Sequence, residues 1–252
     1  MGIDVKPVKP SAGGYLRRAD LFTSVLLVFP LFLVYQVGVL AVPEVYNGAD
    51  LITSQLLRLL HGQLGIYIAI NAGLLAAFLI LIAILRRKNE FHARMFIPVL
   101  VESAVYAVTM GSLILFVMNI LHIDPKLAVG APAAAGHSPA DVGLLGRIVL
   151  SFGAGVHEEL LFRLIILSGL IAVGTGLFKM RRFAAVAMAF CISAFLFSAA
   201  HHVIGGEPWH VGVFVYRFLC GLVFATIFQT RGFAVAVYTH ALYDIFVLTL
   251  QS

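Results

Sequence analysis

The 252-residue sequence contains few charged residues. Asp, Glu, Lys and Arg together make up 12% of the chain, and hydrophobic residues make up 61%. A soluble globular domain has about 25% charged residues. With a mean hydropathy of +1.01, the chain has too little polar surface to cover a water-soluble particle of this size. The composition excludes a soluble enzyme, a nucleic-acid-binding protein and a disordered protein, and it indicates a polytopic membrane protein.

Cysteine is also scarce, since the chain has only Cys191 and Cys220. Both lie in apolar runs and neither belongs to a CxxC motif, which excludes a disulfide framework and a structural zinc site of the CxxC type. We expect both to be small core residues.

Long apolar runs dominate the rest of the chain. A transmembrane helix needs about 20 mostly apolar residues, and the runs lack the alternation of a membrane barrel. We therefore predict an all-α polytopic membrane helical bundle with about seven transmembrane helices. The predicted spans are 21–42, 64–85, 96–121, 148–173, 183–202, 211–230 and 233–250.

Positive charge predicts the orientation of these spans. Of the Lys and Arg residues outside the predicted spans, 12 fall on the side of the N-terminus and 3 on the other side. Cytoplasmic loops carry such an excess of Lys and Arg. We therefore expect a multi-pass integral membrane protein with a cytoplasmic N-terminus.

The chain is predicted to form a single membrane domain with two parts. Residues 1–146 are a three-span region that carries no recognised motif. In it, 51–62 is apolar with polar interruptions and predicts an interfacial amphipathic helix, while 123–146 is rich in Ala, Gly and Pro and predicts an outer loop. Residues 147–252 are predicted to form a four-span catalytic core.

Ionisable residues inside the predicted spans are the main functional signal, because charges in hydrocarbon are costly and usually functional. All but Glu102 fall in the last four spans. The candidates are Glu102, His157, Glu158, Glu159, Arg163, His201, His202, Arg217, His240 and Asp244.

In the fourth span, Glu159 and Arg163 are four residues apart and can pair on one helix face. Glu158 points about 100° away from that face. A carboxylate without that partner in a low-dielectric site suits a general base, whereas a Glu–Arg structural pair with an incidental second Glu is the alternative. His157 and Glu158 do not begin an HExxH zinc motif, because position 161 is Leu.

Two further spans carry histidines. His201 lies near the end of the fifth span, where a histidine is more often interfacial than catalytic. His240 and Asp244 share a helix face in the seventh span. A carboxylate beside an imidazole serves catalysis and metal binding alike, and a buried structural pair is again the alternative. The three elements together favour a hydrolytic site.

The ordered set Glu158-Glu159-x-x-x-Arg163, Phe197-x-x-x-His201 and His240-x-x-x-Asp244 resembles the CPBP intramembrane proteases. This family includes the CAAX prenyl endopeptidases and bacteriocin-processing enzymes, formerly called the abortive-infection family. The run Gly221–Gly232 before the last His also resembles the family's segment there. The resemblance covers residues 147–246.

The resemblance implies a role for each matching residue. Glu158 and His201 would hold and activate the attacking water, while Glu159 and Arg163 would form a supporting pair, with Phe197 beside them. His240 and Asp244 would stabilise the oxyanion or help ligate a metal. The prenyl endopeptidases typically have Asn where this chain has Asp244. An ionised Asp carries no proton to donate to an oxyanion, so we expect Asp244 to orient His240, to bind a cation or to remain protonated. Zinc bound by Glu158, His201, His240 and Asp244 is the alternative to a metal-free mechanism.

The resemblance predicts an intramembrane endopeptidase that acts on a membrane-associated protein or peptide within the lipid bilayer. A bacterial inner membrane is the expected location, and no nucleic-acid partner is expected. Two other classes remain open: a proton- or cation-coupled transporter, since buried Glu, His and Asp also build proton relays, and a catalytically silent scaffold of the same fold.

The predicted depths of the site residues conflict. Along straight spans at 1.5 Å per residue, His201 lies about 27 Å from the inner end of its span. His240 lies about 10 Å from the inner end, and Glu158 about 15 Å from the outer end. A joint site therefore requires tilt, a kink or a span that starts deep in the bundle.

Overall fold

The structure is a computed structural model that describes residues 20–41, 64–87, 90–124, 143–203 and 209–250. The helices are α1 (Leu21–Ala41), α2 (Leu64–Arg86), α3 (Phe96–Ile120), α4 (Leu144–Glu158), a π-helix (Glu159–Leu167), α5 (Ser168–Gly176), α6 (Arg182–Val203), α7 (Val211–Arg231) and α8 (Phe233–Leu250). A 3-10 turn at Ala93–Met95 precedes α3. The described part of the chain contains no strand, which confirms the predicted all-α class.

Helices occupy all seven predicted apolar stretches. The fourth is longer at both ends than predicted, because α4, the π-helix and α5 run on continuously from Leu144 to Gly176. Within the described residues, five helices are long and apolar enough to cross a membrane, and the apolar parts of α2 and α8 are shorter. The helical membrane bundle is therefore confirmed, while the number of spans stays a prediction.

Two predicted segments cannot be compared with the structure. The interfacial helix at 51–62 lies outside the described residues, as do residues 125–142 of the predicted loop.

Helix α8 occupies the centre of the bundle. It packs against α1, α3, α4 and α7, and its first nine residues, from Phe233 to Ala241, are all buried. One hydrophobic cluster joins α8 to buried residues of α1, such as Val28 and Phe32. Helices of both predicted parts of the chain thus surround the helix that carries His240.

Glycine permits close contact at two points of this bundle. A Cβ added to Gly155 of α4 would lie 2.9 Å from the carbonyl oxygen of Val237 and 3.0 Å from Ala241, both on α8. A Cβ on Gly221 of α7 would lie 2.9 Å from the Cα of Ala194 on α6. Small residues at such contacts let helix backbones approach in membranes, so these glycines set the spacing of the site-bearing helices.

The expectation for the cysteines is half right. Cys220 is buried, as predicted, but Cys191 is exposed on the surface of α6. The prediction failed because the outer surface of a membrane bundle is apolar too, so an apolar run does not distinguish a core position from one that faces lipid.

Candidate active site

Two adjacent carboxylates lie at the junction between α4 and the π-helix. Glu158 is the last residue of α4, and Glu159 opens the π-helix. Oε1 of Glu159 lies 3.1 Å from a terminal nitrogen of Arg163, and both side chains are fully buried. The predicted Glu159–Arg163 pair is therefore present in the structure.

Serine hydroxyls support the irregular backbone of the π-helix. Ser193 on α6 donates to the carbonyl oxygen of Phe162 at 2.7 Å, and Ser168 donates to that of Arg163 at 3.1 Å. A π-helical stretch changes the backbone hydrogen-bond pattern. Side-chain donors then satisfy the carbonyl oxygens that lose their usual partners, which a membrane environment requires. Such stretches occur frequently at functional sites.

Aromatic rings enclose the guanidinium of Arg163. Its central carbon lies 4.4 Å from the ring centre of Phe197 and 5.3 Å from that of Phe224. Its second terminal nitrogen donates to the carbonyl oxygen of Gly221 at 3.4 Å. The cation is thus held by a carboxylate, a carbonyl and two π faces, which compensate its removal from water.

His240 on α8 contacts carboxylates through both ring nitrogens. Its Nδ1 lies 2.8 Å from Oε1 of Glu159. Its Nε2 lies 3.7 Å from Oε2 of Glu158 and 3.5 Å from Oδ2 of Asp244. The ring stacks on Phe224 with centres 4.4 Å apart and an interplanar angle of 14°. Phe224 on one face and the carboxylates at the two ring nitrogens therefore hold the imidazole in a defined orientation.

His201 on α6 is the second histidine close to Glu158. Its Nδ1 lies 2.9 Å from the carbonyl oxygen of Phe197. Because a carbonyl only accepts, Nδ1 carries the proton and Nε2 of the neutral ring keeps its lone pair. That Nε2 lies 3.8 Å from Oε2 of Glu158.

The structure thus brings six of the predicted site residues together. They come from the α4–π-helix junction, α6 and α8, and they are Glu158, Glu159, Arg163, His201, His240 and Asp244. Asp244 is the most accessible of them, with 24% of its side chain exposed, so the site opens on the side of Asp244. Arg217 interacts electrostatically with His201 and Asp244.

Three other candidates lie away from this group. His157 is hydrogen-bonded at Nδ1 to the carbonyl oxygen of Gly153, and its ring packs edge-on against Tyr35 of α1. The ring of His202 packs against Trp209 at 5.1 Å. Glu102 pairs with Arg231.

The depth conflict is resolved by the position of α8. Ser103 of α3 donates a hydrogen bond to the carbonyl oxygen of Val235 at 3.2 Å. Ser103 lies seven residues, or about 10 Å, beyond the start of α3. The first turn of α8 is therefore level with Ser103 and not with the start of α3, so His240 lies about 10 Å further along α3 than it would if the two helices began at the same level.

Two residues of this site were not predicted from the sequence. Phe224 provides the ring that stacks on His240, and Gly221 provides the carbonyl that accepts from Arg163. Both lie in the run that resembles the family, where they are three residues apart on one helix face. That spacing was the available signal, but an aromatic residue on a helix face is usually ordinary core.

The donor arrangement does not fit a zinc ion bound by Glu158, His201, His240 and Asp244. Among the described residues, no three His, Cys, Asp or Glu side chains are grouped as metal ligands. No step of the mechanism below passes through a metal.

One comparison with known proteins identifies the segment that holds the site. Residues 140–246 match the family model Type II CAAX prenyl endopeptidase Rce1-like. No curated protein and no solved structure shows significant similarity to the chain. The matched residues include every member of the carboxylate and histidine group, and five apolar helices make the chain an integral membrane protein. Residues 140–246 are therefore similar to the Rce1-like type II CAAX prenyl endopeptidases, as the motifs indicated, and this similarity supports a protease of the CAAX type.

Proposed function

We propose that the protein is a membrane endopeptidase that hydrolyses a peptide bond through a water activated by Glu158 and His201. The observation that carries this proposal is the position of Oε2 of Glu158, which lies 3.8 Å from Nε2 of His201 and 3.7 Å from Nε2 of His240. A carboxylate between two imidazoles in a buried site suits proton transfer better than a purely structural role.

The nucleophile is a water held by two acceptors. Polar atoms more than 3.5 Å apart are commonly bridged by water. Because Nδ1 of His201 donates to Phe197, its Nε2 is an acceptor. A water between Nε2 and the Glu158 carboxylate donates one hydrogen to each and directs its lone pair at the scissile carbonyl. Glu158 takes the proton as the oxygen attacks, and later delivers it to the leaving amine.

His240 stabilises the oxyanion of the tetrahedral intermediate. Glu159 accepts from Nδ1 of His240 and fixes the orientation of the ring. Nε2 then donates its proton to the developing negative charge. This requires the imidazolium form, for which Glu159 supplies the counter-charge at Nδ1. Asp244 orients His240 and does not donate to the oxyanion while it is ionised.

Two adjacent histidines give a matched test of this assignment. His201→Gln should lower kcat by about 10²-fold or more, because Nε2 no longer helps to hold the water. His202→Gln should retain wild-type kcat, since the ring of His202 packs against Trp209 and Phe214 outside the site. The measurement is cleavage of prenylated CAAX peptides, their unprenylated forms and transmembrane peptides, followed by mass spectrometry. Equal effects of the two substitutions would contradict the assignment of His201.

Asp244→Asn tests the metal-free mechanism. Asn restores a hydrogen-bond donor beside His240, so activity should stay within about tenfold of wild type and should resist chelators. If Asp244 ligated zinc or supported a ligand, the same substitution would weaken metal binding by about 10–100-fold. Loss of activity that excess zinc reverses, together with stoichiometric zinc in the purified protein, would overturn the metal-free mechanism.

We further propose a membrane-associated protein or peptide as the substrate and a bacterial inner membrane as the location. We also propose a cytoplasmic N-terminus, which the excess of Lys and Arg on the side of the N-terminus supports. The division into an N-terminal region, 1–146, and a catalytic core, 147–252, is part of the same proposal.

A further inference from the structure

Glu102 is a half-buried carboxylate that the proposed mechanism does not use. It lies on α3, outside the segment that matches the protease family. A terminal nitrogen of Arg231 donates to its Oε2 at 2.9 Å, and Nε of Arg231 donates to its Oε1. The hydroxyl of Tyr106 donates to the same Oε1 at 2.8 Å. Only 13% of the Glu102 side chain and 16% of the Arg231 side chain are exposed.

This ion pair is located at the turn between α7 and α8. Arg231 is the last residue of α7, and Phe233 begins α8. Gly232 between them has a φ of 103°, a conformation that favours glycine. Its amide donates to the carbonyl oxygen of Phe228 at 3.0 Å. The chain therefore changes direction at Gly232, and Arg231 is the last residue before this turn.

A second contact from α3 holds the other side of the same turn. Ser103, the residue after Glu102, donates to the carbonyl oxygen of Val235 at 3.2 Å, and this contact is buried. Two consecutive residues of α3 thus hold the end of α7 and the first turn of α8. We call the group Glu102, Ser103, Arg231 and Val235 the turn clamp.

The turn clamp determines where two site residues meet. Phe224 lies seven residues before Arg231 on α7, and His240 lies five residues after Val235 on α8. Their rings stack with centres 4.4 Å apart. His240 is about 8 Å along the helix from Val235. Because a helix is stiff over so short a distance, a shift of the turn displaces His240 by nearly the same amount.

We propose that Glu102 and Arg231 are positioning residues that hold His240 at the depth where it meets Glu158 and Glu159. Apolar side chains alone give little resistance to a helix sliding along its neighbours in lipid, because the packing surfaces are similar from turn to turn. A guanidinium that binds both oxygens of one carboxylate defines position along the helix and orientation together. This inference rests on the proposed function of the site.

The primary variant is Glu102→Gln, which keeps the shape of the side chain and removes its charge. It should lower kcat by about 10–100-fold, because a misplacement of about 1 Å costs up to about 10²-fold. KM should stay within about twofold, since binding of the substrate does not depend on His240. Rates are normalised to the folded protein measured by size-exclusion chromatography. Glu90→Gln is the matched control, because Glu90 is an exposed carboxylate ahead of α3, and it should retain wild-type kcat.

Arg231→Lys is the second variant. It keeps the positive charge but loses the two-point contact, so it should fold like wild type and still lose at least about tenfold in kcat. Arg94→Gln, at an exposed position, is its control. If Glu102→Gln yields no folded protein, the kcat and KM of Arg231→Lys test the positioning role instead.

A double-mutant cycle separates positioning from general structural support. In a His240→Gln background, Glu102→Gln should cause no further loss of kcat, because the group that it positions is already absent. Wild-type kcat in folded Glu102→Gln, or the same fold loss in both backgrounds, would overturn the inference. If His240→Gln itself had no effect on cleavage, the proposed function would fail instead, so the two failures are distinguishable.

Discussion

Glu158→Gln should lower kcat by about 10²–10⁴-fold, to the detection limit of most peptide assays, while the unfolding temperature changes little. The amide has the shape of the carboxylate but cannot accept the proton of the attacking water. The loss of stability should be small, because Oε2 of Glu158 is 3.7 Å and 3.8 Å from the two histidine nitrogens. Neither contact is a hydrogen bond that folding depends on.

The assay compares single-turnover cleavage by wild type, Glu158→Gln and Glu90→Gln in the same lipid or detergent. Glu90→Gln removes an exposed carboxylate and should behave as wild type. Wild-type cleavage by Glu158→Gln would end the protease interpretation and favour a transporter or a silent scaffold. Retained fold with lost cleavage is the result that those alternatives do not predict.

Glu159→Gln should destabilise the protein by about 3–5 kcal/mol. Glu159 neutralises Arg163, and both side chains are fully buried, so the substitution leaves a cation in the core without its counter-charge. The aromatic rings around the guanidinium compensate only part of that loss. Because Glu159 also orients His240, the folded fraction should be slower in cleavage as well.

Thermal unfolding, followed by intrinsic fluorescence in a fixed detergent, measures this effect. For a chain of about this size, 1 kcal/mol corresponds to about 2–4 °C, so Glu159→Gln should unfold at least about 6 °C below wild type. The adjacent Glu158→Gln is the matched control, since it removes one carboxylate one residue away. Unfolding of Glu159→Gln at the wild-type temperature would show that the Arg163 pair is not a structural requirement.

The sequence alone predicted most of the architecture. The helices begin and end within a few residues of the predicted spans, because in lipid every backbone polar group must be satisfied within a helix and long apolar runs leave no other choice. It also indicated the chemistry of the site. Glu158, Glu159, His201 and His240 are expensive in hydrocarbon, so their presence in apolar runs was itself informative.

The tertiary structure alone determined how these residues meet. Helix periodicity correctly paired Glu159 with Arg163, but it could not show that Glu159 also contacts His240, since that contact joins residues 81 positions apart. Nor could it foresee the π-helix after Glu158, or that α8 begins beside Ser103. Depth in a bundle depends on which helices pack together, and a one-dimensional pattern of apolar residues carries no information on neighbours. Glu102 shows this most clearly: in sequence it is an isolated charge, and only its contact with Arg231 connects it to the turn that carries His240.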